Sequence, residues 1–256
     1  ELKKIIKKNK NAEFLSGGTD MSLIVTKQKK DIKNIVYLNS IDELNYIKEK
    51  DKYIEVGATT PLSKFESIIK KYYPDFNRIL KRYGSVQIRN VATLAGNIAT
   101  ASPIGDSLPL LLSLDASISI ESFNKKMTIP LKDFFIGYRK TKLKKGQFIS
   151  SIKIPIFKKN IFKAYKISKR IDDDISSVCA SFNLAIVNKK IKDIKIAYGG
   201  MAAIPKRAVY CEKMLLNSDF SEDIILKAQK SLEKDFQPID DMRASKDYRV
   251  EIAKNL

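Results

Sequence analysis

Short alternating segments of apolar and polar residues near the start of the chain predict a small unit of helices and strands. Leu2, Ile5 and Ile6 share one face of a short amphipathic helix over residues 1–10, with lysines on the other face. The elements predicted after it are a strand at Glu13–Leu15, a helix at Met21–Lys27 capped by Thr19 or Asp20, a strand at Ile35–Leu38, a helix from a Ser40/Glu43 capping box to Glu49, and a strand at Tyr53–Gly57. This order favours largely parallel strands.

The middle of the chain shows helix and strand patterns in mixed order. We expect Pro61 at the first position of a helix with Thr60 as its N-cap, because this position does not use its backbone N–H. The later predicted elements are a helix entered through Pro74 over Asp75–Tyr83, a helix over Ser107–Leu114, and strands at Ser117–Ser122, Lys126–Ile129 and Phe148–Pro155. The pattern is typical of mixed or antiparallel α+β structure.

From Phe162 onward the alternation of apolar and polar positions becomes longer and more regular. The predicted elements are strands at Phe162–Ser168, Ser177–Val187 and Lys192–Gly199, with a hairpin turn at Asn188-Lys189-Lys190, followed by helices at Lys206–Leu216 and Glu222–Asp235. Three strands and two helices suffice for a separate C-terminal domain, whose boundary we expect near Pro155–Ile161.

The net charge of the chain is strongly positive, at +19, which is typical of proteins that bind nucleic acids or anionic membranes. The excess is nearly all lysine and is spread along the chain in short Lys-Lys pairs. No dense basic tract alternates with aromatic residues, so the pattern disfavours a nucleic-acid partner. A basic nucleic-acid-binding protein is kept as an alternative of another class.

Two cysteines, Cys179 and Cys211, and the absence of histidine exclude several kinds of site. The chain by itself offers no Cys/His zinc site, no cysteine-ligated iron–sulfur cluster and no histidine base. Reduced, buried cysteines favour a cytoplasmic protein. The longest apolar run, Leu108 to Ile120, is interrupted by Asp115 and is too short to cross a bilayer.

Two turns are rich in small residues that bring a backbone close to an anionic ligand. Thr93–Pro109, TLAGNIATASPIGDSLP, contains no Lys or Arg in a lysine-rich chain. Ser16–Asp20, SGGTD, joins a predicted strand to a predicted helix, where free N–H groups bind phosphate. A purely structural role is an open alternative for each turn. No GxGxxG or GxxxxGK[ST] motif occurs, which disfavours a Rossmann or P-loop nucleotide site.

Three motifs together resemble the FAD-binding subunit of the molybdenum hydroxylases: FLSGGTD, QIRNVATLAGNIATASPIGDSLP and YRKTKLKKGQFISSIKIP. The stretches FKAYKISKRIDDDISSVCASF and IAYGGMAAIPKRA look most like bacterial xanthine dehydrogenase, and RASKDYRVEIAKNL resembles the end of that flavin module. The resemblance implies an α+β fold of the vanillyl-alcohol-oxidase/molybdenum-hydroxylase type over residues 1–157, with subdomains at about 1–57 and 58–157. It further implies a C-terminal antiparallel sheet with helices over 158–256, as in carbon monoxide dehydrogenase.

The same resemblance implies where FAD binds. Phe14 to Met21 would wrap the pyrophosphate through backbone amides, and Thr93 to Asn97 would form a second phosphate loop in which the Thr93 and Asn97 side chains donate hydrogen bonds. Asp106 would contact a hydroxyl of the ribose or ribityl part. Tyr83 would pack on the cofactor, Ile149 would lie beside the flavin and Lys166 near the isoalloxazine. The implied FAD-binding residues are Phe14, Leu15, Ser16, Gly17, Gly18, Thr19, Asp20, Met21, Tyr83, Thr93, Leu94, Ala95, Gly96, Asn97, Asp106, Ile149 and Lys166, with no catalytic residue and no metal ligand.

The implied activity is electron transfer within a xanthine dehydrogenase of purine catabolism. Partner domains or subunits would hold the molybdenum cofactor and the [2Fe–2S] clusters, and reduced FAD would pass hydride to NAD⁺. The iron–sulfur part would come from a longer polypeptide of which this chain is a fragment, or from a separate subunit. The loop Arg170–Ile175, RIDDDI, would influence the access of NAD⁺. The alternative within the family is the flavin subunit of a carbon monoxide, aldehyde or aromatic hydroxylase.

Overall fold

A computed structural model describes all residues from Glu1 to Leu256, and its first elements form a small parallel pair of strands. In chain order these are α1 (Leu2–Lys8), β1 (Glu13–Leu15), α2 (Ser22–Thr26) and β2 (Ile35–Tyr37). Strand β1 pairs with β2 in parallel, which confirms the predicted start of the chain. Ile6 of α1 is buried in a small core with Val36 and Phe148, while the lysines of α1 are exposed.

The predicted helix up to Glu49 is wrong. A short 3₁₀ turn at Asp42–Leu44 is followed by β3 (Ile47–Glu49), which pairs antiparallel with β4 (Tyr53–Gly57). The capping-box pattern is a weak local signal, whereas pairing with β4 provides hydrogen-bond partners for the backbone of Ile47–Glu49. The expectation of largely parallel strands fails for the same reason, since only β1 and β2 pair in parallel.

Residues 58–157 build five helices and complete an antiparallel sheet. The helices are α3 (Leu62–Tyr72), α4 (Pro74–Lys81), α5 (Val86–Arg89), α6 (Leu94–Thr100) and α7 (Ser107–Ser113). The strands are β5 (Ser117–Glu121), β6 (Lys126–Pro130), the small hairpin β7 (Phe135–Gly137) and β8 (Lys140–Thr141), and β9 (Phe148–Pro155). The main sheet has the order β3-β4-β9-β5-β6, and the helices cover its apolar face.

Two predicted helix starts differ from the structure. Pro61 is itself the N-cap of α3, which begins at Leu62, and the Thr60 hydroxyl donates to the carbonyl of Tyr46 at 2.9 Å instead of capping the helix. Neither Thr19 nor Asp20 caps α2, because the turn carries the chain on to Met21 and Asp20 pairs with Arg139. In both cases a partner that is distant in sequence takes the side chain that a local rule would assign to the cap.

The C-terminal part is a four-stranded antiparallel sheet covered by helices. Its elements are β10 (Ile161–Ile167), β11 (Val178–Val187), β12 (Lys190–Gly199), β13 (Lys206–Arg207), α8 (Val209–Leu215), α9 (Glu222–Asp235) and α10 (Lys246–Asn255). The predicted hairpin is present, with Asn188 and Lys189 in the left-handed region at φ 50° and 61°. The prediction missed β13, which takes the start of the expected helix Lys206–Leu216, and it missed α10, whose apolar face is narrow.

Helix α7 joins the two parts of the chain. It packs against β11, β12 and β13, and its Ser113 hydroxyl forms a 2.6 Å hydrogen bond with the hydroxyl of Ser181. The main core is continuous across this contact, since it includes Ala164, Cys179 and Ala197 of the C-terminal sheet. The domain boundaries stay predictions. None of the helices has the length and apolar character needed to cross a membrane.

Candidate cofactor-binding cleft

A cleft of about 1420 Å³ lies where the start of β9 and the C-terminal sheet meet the two glycine turns, Ser16–Asp20 and Thr93–Pro109. This volume exceeds the roughly 300–1,000 Å³ of ordinary small-molecule sites. The structure brings nearly all of the predicted FAD-binding residues to its wall: Phe14, Leu15, Ser16, Gly17, Gly18, Thr19, Asp20, Met21, Tyr83, Thr93, Ala95, Gly96, Asn97, Asp106, Ile149 and Lys166. Leu94 is the exception, because its side chain is buried in the main core, and its place in the FAD-binding loop stays a prediction.

The two glycine turns touch each other through their backbones. A Cβ atom at Gly17 would lie only 2.0 Å from the carbonyl oxygen of Val91 and 2.9 Å from the Cα of Ala92. Gly18 adopts a φ of +73°, which most residues with a side chain avoid. These glycines therefore set the first turn directly beside the residues that precede Thr93, and the turns form one continuous floor.

Thr93 begins helix α6 at this floor. Its Oγ1 accepts a hydrogen bond from the backbone N–H of Gly96 at 3.0 Å, so the residue is an N-cap. The hydroxyl retains its own hydrogen for a further bond. The resemblance implies a phosphate loop at Thr93–Asn97. In the structure these residues form the first turn of α6, and the N-terminus of this helix lies at the cleft.

Asn97 connects α6 to the aromatic wall of the cleft. Its Nδ2 donates to the Tyr83 hydroxyl at 3.0 Å, and its Oδ1 accepts from the Ser107 hydroxyl at 2.6 Å. Burial, with smaller effects from the charges of Asp106 and Asp20, raises the pKa of Tyr83 above its ordinary value. Tyr83 therefore stays neutral at physiological pH, and Asn97 holds it in place. A cofactor bond from Asn97 would compete with these contacts.

Asp106 and Lys166 form a buried ion pair at the other side of the cleft. The Lys166 ammonium lies 2.6 Å from Oδ2 of Asp106, and their side chains are only 1% and 7% exposed. Ser176 donates its hydroxyl to Oδ1 of Asp106. Cys179 directs its Sγ to the Asp106 carbonyl at 3.7 Å, and burial raises the pKa of this thiol well above its ordinary value. The cleft thus contains a fixed cation and an inert thiol behind it.

The sequence reasoning missed several charged and aromatic residues of the cleft. Arg139 pairs with Asp20 at 3.2 Å across the rim of the cleft. Arg249 is buried, is held by Asp241 and by the carbonyls of Ser177 and Gly200, and has an Nε without a partner. Four of them lie in the motif YRKTKLKKGQ, whose basic and aromatic residues are the sequence signal that could have located them. The residues concerned are Tyr138, Arg139, Lys144, Lys145, Arg243 and Arg249.

The RIDDDI loop reaches the cleft through only part of its length. Asp174 and Ile175 line the cleft, whereas the Asp172 and Asp173 side chains are exposed and do not. The backbone N–H of Arg170 donates to Asp174 at 2.8 Å, and this bond lowers the pKa of the Asp174 carboxyl. No group of three or more Cys, Asp or Glu side chains in the chain could hold a metal ion.

The residues of the cleft fit an elongated anionic cofactor such as FAD. The backbone N–H groups of Gly17, Gly18 and Thr19 donate to no backbone carbonyl of the protein, so they are free to bind an anion. A helical N-terminus at Thr93, an aromatic ring at Tyr83 and a buried cation at Lys166 meet in one cavity. The helix N-terminus suits phosphate oxygens, the aromatic ring suits a planar ring system, and the cation suits a polar ring edge.

Family comparisons match nearly the whole chain. The family described as the FAD-binding domain in molybdopterin dehydrogenase matches residues 1–157, and the CO dehydrogenase flavoprotein C-terminal domain matches residues 163–256. The glyceraldehyde dehydrogenase medium chain of Sulfolobus acidocaldarius is 30% identical over 262 residues, covering 100% of this chain and 92% of that protein.

Xanthine dehydrogenases are also similar, but over a small part of their length. The enzyme of Emericella nidulans is 32% identical over 241 residues, which are 88% of this chain and 18% of that protein. The chain thus spans less than a fifth of the curated xanthine dehydrogenases it matches.

Solved structures share the fold along the entire chain. Carbon monoxide dehydrogenase from Hydrogenophaga pseudoflava superimposes with a TM-score of 0.93 at 23% identity, covering 99% of this chain and 90% of that one. Quinoline 2-oxidoreductase from Pseudomonas putida 86 gives 0.89 at 21% identity, covering 99% and 89%. These likenesses confirm the predicted α+β flavoprotein fold.

Proposed function

The chain belongs to the FAD-binding flavoprotein family of the molybdopterin dehydrogenases and is an oxidoreductase component, and from this we propose that it carries electrons from [2Fe–2S] clusters of a partner through FAD to NAD⁺ in a xanthine dehydrogenase. The observation that carries the proposal is the cleft in which both glycine turns and Lys166 meet. The molybdenum cofactor, the iron–sulfur clusters and the hydroxylated substrate belong to partner domains or subunits. We expect a cytoplasmic complex.

The residues of the chain bind and orient FAD in this proposal. The backbone N–H groups of the Gly17-Gly18 turn and of the α6 N-terminus hold the pyrophosphate, in keeping with the absence of Lys and Arg from Thr93–Pro109. Tyr83, fixed by Asn97, covers one face of the cofactor. Lys166 supplies a positive charge in a water-poor environment, where it acts more strongly than in solution.

Bound FAD would supply the exchange of electrons between a one-electron donor and a two-electron acceptor. The chain contains no histidine, and electron transfer of this kind needs no protein base. Its own contribution is therefore placement of the cofactor and the electrostatic environment of the cleft. NAD⁺ as the acceptor is supported only by the similarity to xanthine dehydrogenases.

A second candidate is the medium chain of an aldehyde-oxidising enzyme with separate subunits. The specific observation in its favour is the Sulfolobus acidocaldarius relative, which matches along 92% of its own length. The xanthine role is supported by the similar xanthine dehydrogenases and by the RIDDDI stretch. The two candidates differ in the partner that carries the molybdenum cofactor, while the use of the cleft is the same.

Reconstitution with FAD tests the primary proposal. The purified chain is titrated with FAD, and binding is followed by visible absorption and by quenching of flavin fluorescence, with FMN as the matched control. We expect tight binding of FAD and much weaker binding of FMN, because FMN lacks the pyrophosphate and adenosine that the two turns would hold. Absence of FAD binding, together with retention on a polyanion column that falls steeply with salt, would support the nucleic-acid alternative instead.

Anaerobic reduction tests the acceptor and the substrate separately. NADH is added to the FAD-loaded chain without oxygen, and bleaching of the flavin absorption is recorded. Rapid bleaching supports NAD⁺ as the physiological acceptor, whereas reduction only by dithionite contradicts it. The substrate is tested on the assembled complex by comparing xanthine with an aldehyde as the electron donor.

A further inference from the structure

Lys166 has more hydrogen-bond donors than the protein uses. An ammonium group has three N–H donors. One goes to Oδ2 of Asp106 at 2.6 Å, and another goes to the carbonyl of Arg82 at 3.3 Å. No further acceptor in the protein takes the third, although the side chain is only 1% exposed and lines the cleft. The unused N–H therefore belongs to the side of Lys166 that borders the cleft.

The Arg82 carbonyl that supports Lys166 is itself held rigidly. The Arg82 guanidinium donates to the carbonyl of Lys166 at 3.1 Å, to the hydroxyl of Ser168 at 3.1 Å and to the carbonyl of Ile171 at 2.8 Å. Arg82 follows directly after α4, and the groups that it bonds lie in β10 and in the loop after it. Hydrogen bonds between β10 and the end of α4 thus hold Lys166 in place, in addition to its contact with Asp106.

Both carboxylate oxygens of Asp106 are engaged by the protein. Oδ2 accepts from Lys166, and Oδ1 accepts from the Ser176 hydroxyl. Ser176 is 1% exposed and directly precedes Ser177 and strand β11, so its hydroxyl is held by well-packed backbone. A charged hydrogen bond of this kind is stronger than a neutral one and fixes the rotamer of the carboxylate.

We propose that Asp106 and Ser176 are positioning residues that aim the Lys166 ammonium at the flavin: Ser176 fixes Asp106, and Asp106 fixes Lys166. This inference rests on the proposed function, because it requires FAD in the cleft. It gives Asp106 a role in addition to the sequence-based expectation that it contacts a sugar hydroxyl of the cofactor. The consequence is that the hydroxyl of Ser176, which does not line the cleft, tunes the affinity and the reduction potential of the flavin through two intervening side chains.

The test is a double-mutant cycle on the FAD-loaded chain. Ser176→Ala is made in the wild type and in a Lys166→Met background, and the FAD dissociation constant and the flavin midpoint potential are measured for each. In the wild type we expect the dissociation constant to rise about 3- to 10-fold, which is less than for direct loss of one charged hydrogen bond because the effect is indirect, and the midpoint potential to fall. In the Lys166→Met background we expect Ser176→Ala to change neither value, because the effect passes through the lysine.

Ser177→Ala is the matched control. Ser177 is the neighbouring buried serine, and its hydroxyl contacts the Arg243 carbonyl at 3.4 Å and not Asp106. Its replacement should leave the midpoint potential unchanged. If Ser176→Ala folds poorly, Ser176→Cys keeps the size and offers only a weak donor, and it should change both values in the same direction.

Three outcomes are decisive. Equal effects of Ser176→Ala with and without Lys166 would overturn the proposal, since they would indicate a general structural role. An unchanged midpoint potential in Ser176→Ala and Ser176→Cys would also overturn it. Failure of the wild-type chain to bind FAD would instead contradict the proposed function and is recognised before any variant is compared.

Discussion

At the scale of single residues, the cleft depends on the absence of a side chain at Gly17 as well as on the side chains that line it. Gly17 lies against the backbone of Val91 and Ala92, where a Cβ would fall 2.0 Å from a carbonyl oxygen. Backbone cannot move aside as the end of a flexible side chain can. The glycine is therefore required by the close approach of the two turns, which is also what makes one continuous floor for a ligand.

Replacement of Gly17 by alanine should separate the two turns. We expect Gly17→Ala to lower the free energy of unfolding by at least about 1–3 kcal/mol, as for overpacking, and to weaken FAD binding markedly. Urea unfolding and FAD titration measure the two effects. Gly137→Ala is the control, because the atom nearest to its Cβ lies 3.8 Å away, at Lys140. Equal behaviour of the two variants would contradict the packing argument.

The buried thiol of Cys211 should lower the free energy of unfolding at alkaline pH. Burial, with the charges of Asp235 and Glu212, raises the pKa of this thiol from 9.0 to about 12, although a hydrogen bond from Ser231 opposes the shift. Above pH 9 the unfolded thiol releases its proton while the folded one keeps it, so the folded state becomes less stable as the pH rises towards 12. The slope from this group is at most about 1.4 kcal/mol per pH unit.

Cys211→Ala removes this titrating group and leaves the other alkaline groups in place. We expect its urea midpoint to fall less steeply than that of the wild type between neutral pH and about pH 11. The comparison uses the difference between each protein and its own value at neutral pH, so that the small loss of packing cancels. Parallel curves for the two proteins would show that the thiol is ionised equally in both states.

At the scale of elements, α6 shows how a sequence with weak helix signals forms a helix at a functional site. The residues Thr93–Asn97 include a glycine and read locally as a loop, yet Thr93 caps the N-terminus through the N–H of Gly96. The buried Leu94 and Ile98 anchor the helix in the main core. Tertiary packing on these two apolar residues therefore supplies what helix propensity does not.

Thr93→Ala tests the cap and the second phosphate loop together. Loss of the cap should cost about 0.5–2 kcal/mol of stability while the fold survives, and the FAD dissociation constant should rise because the α6 N-terminus is less ordered. Thr93→Ser keeps the oxygen that accepts from Gly96 and should retain most of the stability and affinity. Thermal unfolding and FAD titration measure both quantities. Unchanged FAD affinity in Thr93→Ala would place the pyrophosphate elsewhere.

At the scale of the whole molecule, a buried polar contact joins the N-terminal and C-terminal parts. The side chain of Asn183, which is fully buried, donates from Nδ2 to the Ser113 carbonyl at 3.1 Å and accepts from Asn160 at 3.0 Å. Ser113 is the last residue of α7. Asp106, which directly precedes the first residue of α7, forms the ion pair with Lys166. Both ends of one short helix are thus bonded to the C-terminal sheet, and the cleft lies beside this joint.

We expect the chain to unfold in one cooperative transition because its main core crosses the joint. Asn183→Ala should cost about 1–3 kcal/mol, since it leaves buried groups without partners, and should lower the melting temperature by about 2–4 °C per kcal/mol. Lys192→Ala, at an exposed position of the adjacent strand β12, should change little. Calorimetry provides the test, and two separate transitions in the wild type would contradict the prediction.

Local patterns and specific motifs were enough to predict the three long strands of the C-terminal sheet, the hairpin at Asn188 and Lys189, the family, and a set of residues that, except for Leu94, all line the cleft. These features follow from apolar periodicity, turn chemistry and motifs that lie within a few residues of one another. Only the tertiary structure decided that residues 47–49 form a strand, that Leu94 faces the core, and that Lys166, Asp106 and Ser176 form one chain of contacts. Each of these depends on partners distant in the sequence, because hydrogen bonds and burial are satisfied by whatever the fold brings near, and no local pattern contains that information.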